Sequence, residues 1–204
     1  MSEPGASAKE THEPAWRAHA LAIVRRAWAL LARPSAAWAA IEKEPGDLRT
    51  LFAYLAPLAA VPAIASFLRM VFSGLFSAGD ALLKAALGYA TSLLGVYLVG
   101  LAIHRLADTF AAKADGAKAM QTAVYASTPI WLAGIVFLFP GFDFFFIFSL
   151  YAVFLLHRGL AILMKAPKDR LTAYAAAVTG AAAAAFIVLA VMAAAIGRPR
   201  LISG

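Results

Sequence analysis

Two sets of side chains in this sequence have the types and spacing to do chemistry in an apolar setting. The first lies around Pro129, where Tyr125, Ser127 and Thr128 fall within one helical turn of the imino acid. Pro129 has no N–H to offer the carbonyl of Tyr125, so a polar group is opened inside an apolar run; Ser127 and Thr128 can satisfy part of it by bonding back onto the helix. Pro57 and Pro62 open similar points at the carbonyls of Ala53 and Leu58. Pro57, Pro62, Tyr125, Thr128 and Pro129 are therefore expected to frame a polar cavity or hinge in the cytoplasmic half of the membrane, although prolines in such helices often do no more than kink them. The second set is His104-Arg105 and His157-Arg158, each closing an apolar run in similar text, from Tyr97 and from Tyr151. Paired imidazoles at one depth suit a proton switch or a metal. No carboxylate accompanies them at ligand spacing, and cations at that height commonly meet lipid headgroups, so no metal is assigned. Asp143, in a phenylalanine-rich stretch, is expected to cap a helix start.

What is missing narrows the chemistry further. The chain has no cysteine, which removes disulfides, zinc thiolates and cysteine nucleophiles. It has no phosphate-binding glycine loop, no nucleophile elbow, no paired-histidine zinc helix and no paired carboxylates inside an apolar run. An interfacial enzyme would have to be built from His104, His157 and Asp108; no catalytic residue and no cofactor is assigned, and enzyme chemistry is not expected.

The elements that must position these residues are membrane helices. Hydrophobic residues make up 63% of the chain and charged residues 14%, and mean hydropathy is +0.78, far from the roughly half-apolar, quarter-charged make-up of soluble domains. The reading is an all-α polytopic membrane bundle with five transmembrane helices, since unpaired amides in lipid forbid open strands and the apolar runs lack the alternation of a barrel. The spans are placed at residues 51–72, 81–106, 120–139, 142–163 and 171–196, with small faces for packing at Gly88, Ser92, Gly95, Gly100 and 181–185. A disordered tail at 1–14 and interfacial helices at 15–49 precede the membrane domain at 50–197, and a short tail at 198–204 follows.

In the first interfacial helix, Leu21, Ile23, Val24, Ala27, Trp28 and Leu31 share one half of the wheel, while Arg26 and Arg33 lie opposite and Arg25 sits at the boundary. A basic amphipathic helix with an apolar tryptophan should lie in the plane of the bilayer surface or pack across the helix ends. Pro34 ends it, and Trp38 and Ile41 share a face of the next. Arg25, Arg26, Trp28, Trp38, His104, Arg105, His157 and Arg158 are the expected membrane-interface residues. Fourteen of the 18 basic residues fall on the side of the N-terminus, which the positive-inside rule puts in the cytoplasm, with the C-terminus on the outer side. The net charge of +7 is that loop bias; no basic stretch is interleaved with stacking aromatics, so nucleic acid is not an expected partner.

With spans and loops in place, the order of several short motifs resembles the Yip family (Ypt-interacting proteins), more closely its bacterial members than its eukaryotic ones. These are Pro34, Trp38, Ile41 and Glu44 before the first span; Tyr125, Ser127, Thr128 and Pro129 opening the third; Pro140-Gly141 between the third and fourth; and Gly159, Leu160, Met164, Pro167, Asp169 and Tyr174 leading into the fifth. The likeness covers about residues 21–196. It implies an integral five-span protein of a bacterial inner membrane, with a cytoplasmic N-terminus, a periplasmic C-terminus and no established chemistry. The extended acidic and aromatic N-terminal region of the eukaryotic members is missing, so their GTPase binding is not carried over. The expected partners are the lipid bilayer, further copies of the chain or other membrane proteins. The expected role is organising membrane or partners, with a small transporter or lipid-binding protein as the alternative.

Overall fold

The computed structural model describes residues 14–139 and 145–196, and every regular element among them is helical. The expected N-terminal disorder, the Pro140-Gly141 turn, the Asp143 cap with its flanking phenylalanines, and the tail at 198–204 lie outside the described residues, apart from the backbone of Phe145 and Phe146.

The chain opens with a hairpin of two helices, α1 (Ala15–Ala32) and α2 (Pro34–Lys43). Arg33 alone joins them in a non-helical conformation, and Pro34 starts α2 at the first helical position, where its missing N–H costs nothing. Four long elements follow that are apolar enough to cross a membrane: α3 (Leu48–Phe72), α4 (Ala78–Leu106), the broken stretch Gly116–Leu138, and α8 (Lys168–Ile196). Between the last two stands α7 (Phe145–Ile162), whose apolar part Phe148–Ile162 is shorter. A helical membrane bundle is thus the fold, as expected.

Polar caps decide where the long helices begin. Asp47 accepts from Thr50 N at 2.9 Å and Thr50 Oγ1 at 2.7 Å, Ser77 Oγ accepts from Asp80 N at 3.1 Å, and Asp115 accepts from Lys118 N at 3.1 Å. Pro57 and Pro62 do not interrupt α3, which runs through both. The stretch around Pro129 does break. It consists of α5 (Gly116–Ala126), then α6 (Thr128–Ala133), with Ser127 between them, and ends as a 3₁₀ turn at Gly134–Leu138. Of the four long elements it is also the most enclosed, with 61% of its apolar window buried against 33%, 22% and 0% for α3, α4 and α8.

The small residues are used selectively. A Cβ on Gly134 would stand 2.5 Å from that of Pro62, so this glycine lets the 3₁₀ turn seat on α3. Gly95 accepts the Phe186 ring of α8, and Gly100 lies beneath Met120 of α5. Gly88 meets nothing, and residues 181–185 are not buried. The fully buried residues of α8, Leu171, Tyr174, Ala175 and Val178, lie in its first half, and beyond them Ala182 is half-buried against the core.

Candidate functional site

Polar and aromatic side chains converge at the end of the bundle where α1, α2, the α4–α5 loop and the α7–α8 loop gather; it is called the basic end below. Leu30 of α1 and Trp38 and Ile41 of α2 are fully buried. Trp38 is therefore corrected from an interface residue to the centre of the core. Its indole meets Tyr125 edge-on at 6.4 Å, and Gly159 of α7 leaves it room, since a Cβ there would lie 2.9 Å from the Trp38 ring and 2.8 Å from Thr122 Cγ2.

Arg26 is also turned inward rather than placed opposite the buried face. Its guanidinium pairs with Glu44 and lies 5.7 Å from the centre of the Tyr125 ring. Tyr125 packs edge-on against Tyr54 at 5.0 Å, and the Tyr54 hydroxyl shares a 3.0 Å hydrogen bond with Thr128 Oγ1. Glu44, Arg26, Tyr125, Tyr54 and Thr128 thus form one chain of contacts from the basic end to the break before Pro129. Thr128 spends its hydroxyl across to α3 instead of back on its own helix; Ser127 does bond back, but to the carbonyl of Ala123 at 2.8 Å.

The expected cavity is relocated by this packing. Tyr125, Thr128 and Pro129 are buried together in a filled core, and Pro57 is exposed on the other side of α3. Open space lies on either side of that plug. Toward the basic end, a cavity of about 350 Å³ is walled by His19, Arg26, Glu44, Arg49, Tyr54 and Tyr125. In the opposite half, about 270 Å³ opens beside Pro62, with Ser66, Lys84, Ser92 and Trp131 in its wall and the indole N–H of Trp131 donating to Ser92 Oγ at 3.0 Å. A larger hollow of about 450 Å³ at the α3–α4 turn is walled mainly by Phe72, Leu75 and Phe76 and brings few polar groups together.

A second group of contacts pins the hairpin to the bundle. Lys118 Nζ donates to the carbonyls of Glu42 at 2.9 Å and Glu44 at 2.7 Å, where α2 ends, and Gln121 Nε2 donates to the Pro45 carbonyl at 3.2 Å. Lys165 pairs with Glu42 and, by hydrogen bond and charge, holds its carboxyl below the usual value. Asp47 is likewise held low, by the hydroxyl and amide of Thr50. Lys113 N donates to the Met164 carbonyl at 2.7 Å, tying the two basic loops together. The sequence alone does not single out Lys118, Gln121 or Tyr54; the signal it holds for the first two is a polar pair three residues apart at the start of an apolar run.

The remaining interface candidates divide. Arg25, Arg105 and Arg158 are exposed, Arg158 lying 5.5 Å from the centre of the Phe154 ring. His104 and His157 are half-buried, His104 with Nδ1 enclosed, without a partner and facing Gly116. The two similar stretches do not end alike, for Tyr97 is exposed whereas the Tyr151 hydroxyl donates to the Leu31 carbonyl of α1 at 2.8 Å. Trp28 is 69% exposed, with Val24 at 63% and Leu21 at 49%. α1 therefore carries two apolar faces: Ile23, Ala27 and Leu30 toward the bundle, and Leu21, Val24 and Trp28 away from it.

Seen in the fold, the short motifs are the packing around Trp38: Ile41, Leu160, Met164 and Tyr174 are all fully buried, and Glu44 and Gly159 make the contacts described. A family model described as the Yip1 domain matches residues 28–192. Neither the curated proteins nor the solved structures gave a match.

Proposed function

The chain belongs to the Yip1 domain family, and from that premise we propose that it is a non-enzymatic membrane protein that organises the bilayer or partner proteins from its basic end. The observation that carries this reading is the outward stripe of α1. Leu21, Val24 and Trp28 are exposed on a helix whose opposite face is locked into the core through Leu30 at 0% exposure. A rigidly held helix with an apolar stripe flanked by Arg25 has the form of an interfacial anchor. In this proposal the protein crosses a bacterial inner membrane five times, with α7 as the fourth span, and the basic end faces the cytoplasm. Copies of the chain or other membrane proteins associate through the exposed half of α8.

Deleting residues 15–44 is a poor test, because it removes Trp38 and Ile41 from the core. The better variant is Leu21→Glu/Val24→Glu/Trp28→Glu, which leaves every buried residue in place. In proteoliposomes the wild type should deform vesicles or recover cross-linked partners, and the variant should lose both at unchanged thermal stability. Equal behaviour of the two overturns the proposal.

The alternative, a small transporter or lipid-binding protein, is supported by the cavity of about 270 Å³ beside Pro62. Ser92→Phe, which fills it and displaces the Trp131 contact, should then abolish ligand retention or flux and leave vesicle deformation intact.

A further inference from the structure

Between the bundle face and the outward stripe of α1 runs a third flank, formed by Ala22, Arg25, Arg26, Ala29 and Arg33. Ala36, Ala37 and Ala40 of α2 face it across a trough of about 380 Å³. The floor is methyl groups and the rim is guanidinium. Of the three arginines, Arg26 is neutralised by Glu44. Among the described residues neither Arg25 nor Arg33 has a carboxylate within ion-pair distance, and both are exposed. Ala22 and Arg26 also line the neighbouring cavity of about 350 Å³, which brings His19 and Arg49 to the same side of α1.

The uncompensated charges of Arg25 and Arg33 along one flank repel each other, and a bound anion would relieve that repulsion. Guanidinium is the side chain suited to a phosphate, offering paired donors in a plane. The height of the trough selects the phosphate's source. At 100° per residue Arg25 lies about 40° from Leu21 around the helix, so the trough borders the apolar stripe directly. With the stripe among the acyl chains, the arginines stand at the level of lipid phosphates.

We propose that this trough binds the headgroup of an anionic phospholipid, with the guanidinium groups of Arg25 and Arg33 on its phosphate and the chains of the lipid beside Leu21, Val24 and Trp28. This rests on the reading of α1 as an interfacial helix and adds the lipid class it recognises.

The test is native mass spectrometry of the full-length protein released from nanodiscs of phosphatidylcholine containing a minority of phosphatidylglycerol. The wild type should retain phosphatidylglycerol in preference to phosphatidylcholine. Arg25→Gln/Arg33→Gln should weaken that retention about 25-fold, from about fivefold for each charge near the bilayer surface. Arg105→Gln/Lys168→Gln, which removes the same charge from exposed positions at the same end, should leave it unchanged. Equal retention by the trough variant, equal loss in the control, or release of the lipid by millimolar inorganic phosphate would each overturn the proposal. The stripe variant Leu21→Glu/Val24→Glu/Trp28→Glu separates it from the reading beneath. Failure of the trough alone leaves that variant defective in vesicle deformation while Arg25→Gln/Arg33→Gln keeps its lipid; failure of the interfacial reading leaves deformation intact.

Discussion

Two tryptophans ten positions apart on one hairpin should respond oppositely to truncation. Trp38 is fully buried and Trp28 is 69% exposed. Replacing a buried tryptophan by alanine costs about 3–5 kcal/mol, through lost transfer energy and the cavity left behind. The edge contact of Trp38 with Tyr125 places it toward the upper end. Against that, its Nε1 is enclosed without a partner, so truncation also removes an unsatisfied donor whose burial costs about 1–3 kcal/mol. The net for Trp38→Ala is then about 3 kcal/mol, or roughly 6–12 °C in Tm for a chain of this size. Trp28→Ala should stay within about 0.5 kcal/mol, as surface changes do. Thermal unfolding in detergent micelles measures both. In bilayers containing brominated lipid, a variant retaining only Trp28 should be strongly quenched and one retaining only Trp38 should not. A Trp38→Ala loss below about 1 kcal/mol, or equal quenching of the two, would refute the assignment of the inner and outer faces of the hairpin.

Gly159→Ala places a methyl where Thr122 and Trp38 are both fully enclosed, and should cost about 1–3 kcal/mol in the same unfolding assay; Thr122→Ser, which removes the nearer methyl, should restore part of it. Tyr54→Phe and Thr128→Val should show a coupling of about 0.6 kcal/mol in a double-mutant cycle, the typical value for a hydrogen bond between membrane helices, and strict additivity would mean that the bond does not form. Glu42 and Asp47 both have carboxyl pKa values lowered in the fold. A lowered folded-state value contributes stability above the unfolded-state value and loses it as pH falls through the folded one. Acidification below the ordinary carboxylate range should therefore raise hydrogen exchange at the end of α2 and the start of α3, and Lys165→Met should remove the Glu42 share of that response.

Hydropathy located the spans well and their starts less well. Three runs expected at 51–72, 81–106 and 171–196 end where α3, α4 and α8 end, but each helix begins three residues earlier. The reason is chemical: an apolar run marks the part of a helix in lipid, whereas its first turn is the polar cap, as at Asp47 and Ser77. The break before Pro129 was legible as a weak point, because a missing N–H can be read from one residue. Its partner was not. Tyr54 lies 74 residues from Thr128 in sequence, and nothing local in either segment says that one hydroxyl will meet the other. Gly134 was equally silent until α3 supplied Pro62 opposite it.

The division of α1 exposes a deeper limit, which also explains why Trp38 and Arg26 were misplaced. A helical wheel reports which side chains avoid water, and in a membrane protein two different phases satisfy them, lipid and the protein interior. Leu21, Val24 and Trp28 share the apolar half of the wheel with Ile23 and Ala27, yet only the latter pair faces the bundle. What separates them is the second helix. Once Pro34 folds α2 back on α1, Leu30 and Trp38 close on the core and the wheel can turn only one way, which carries Arg26 inward. That inward turn is eased because Glu44 comes round with the end of α2 to meet the half-buried guanidinium, which unpaired would give up part of its hydration for nothing in return. Glu44→Gln should accordingly loosen α1 without touching its apolar contacts, seen as faster hydrogen exchange across residues 15–32 with α3 and α4 unchanged. Uniform protection in that variant would mean that apolar packing alone sets the rotation of α1.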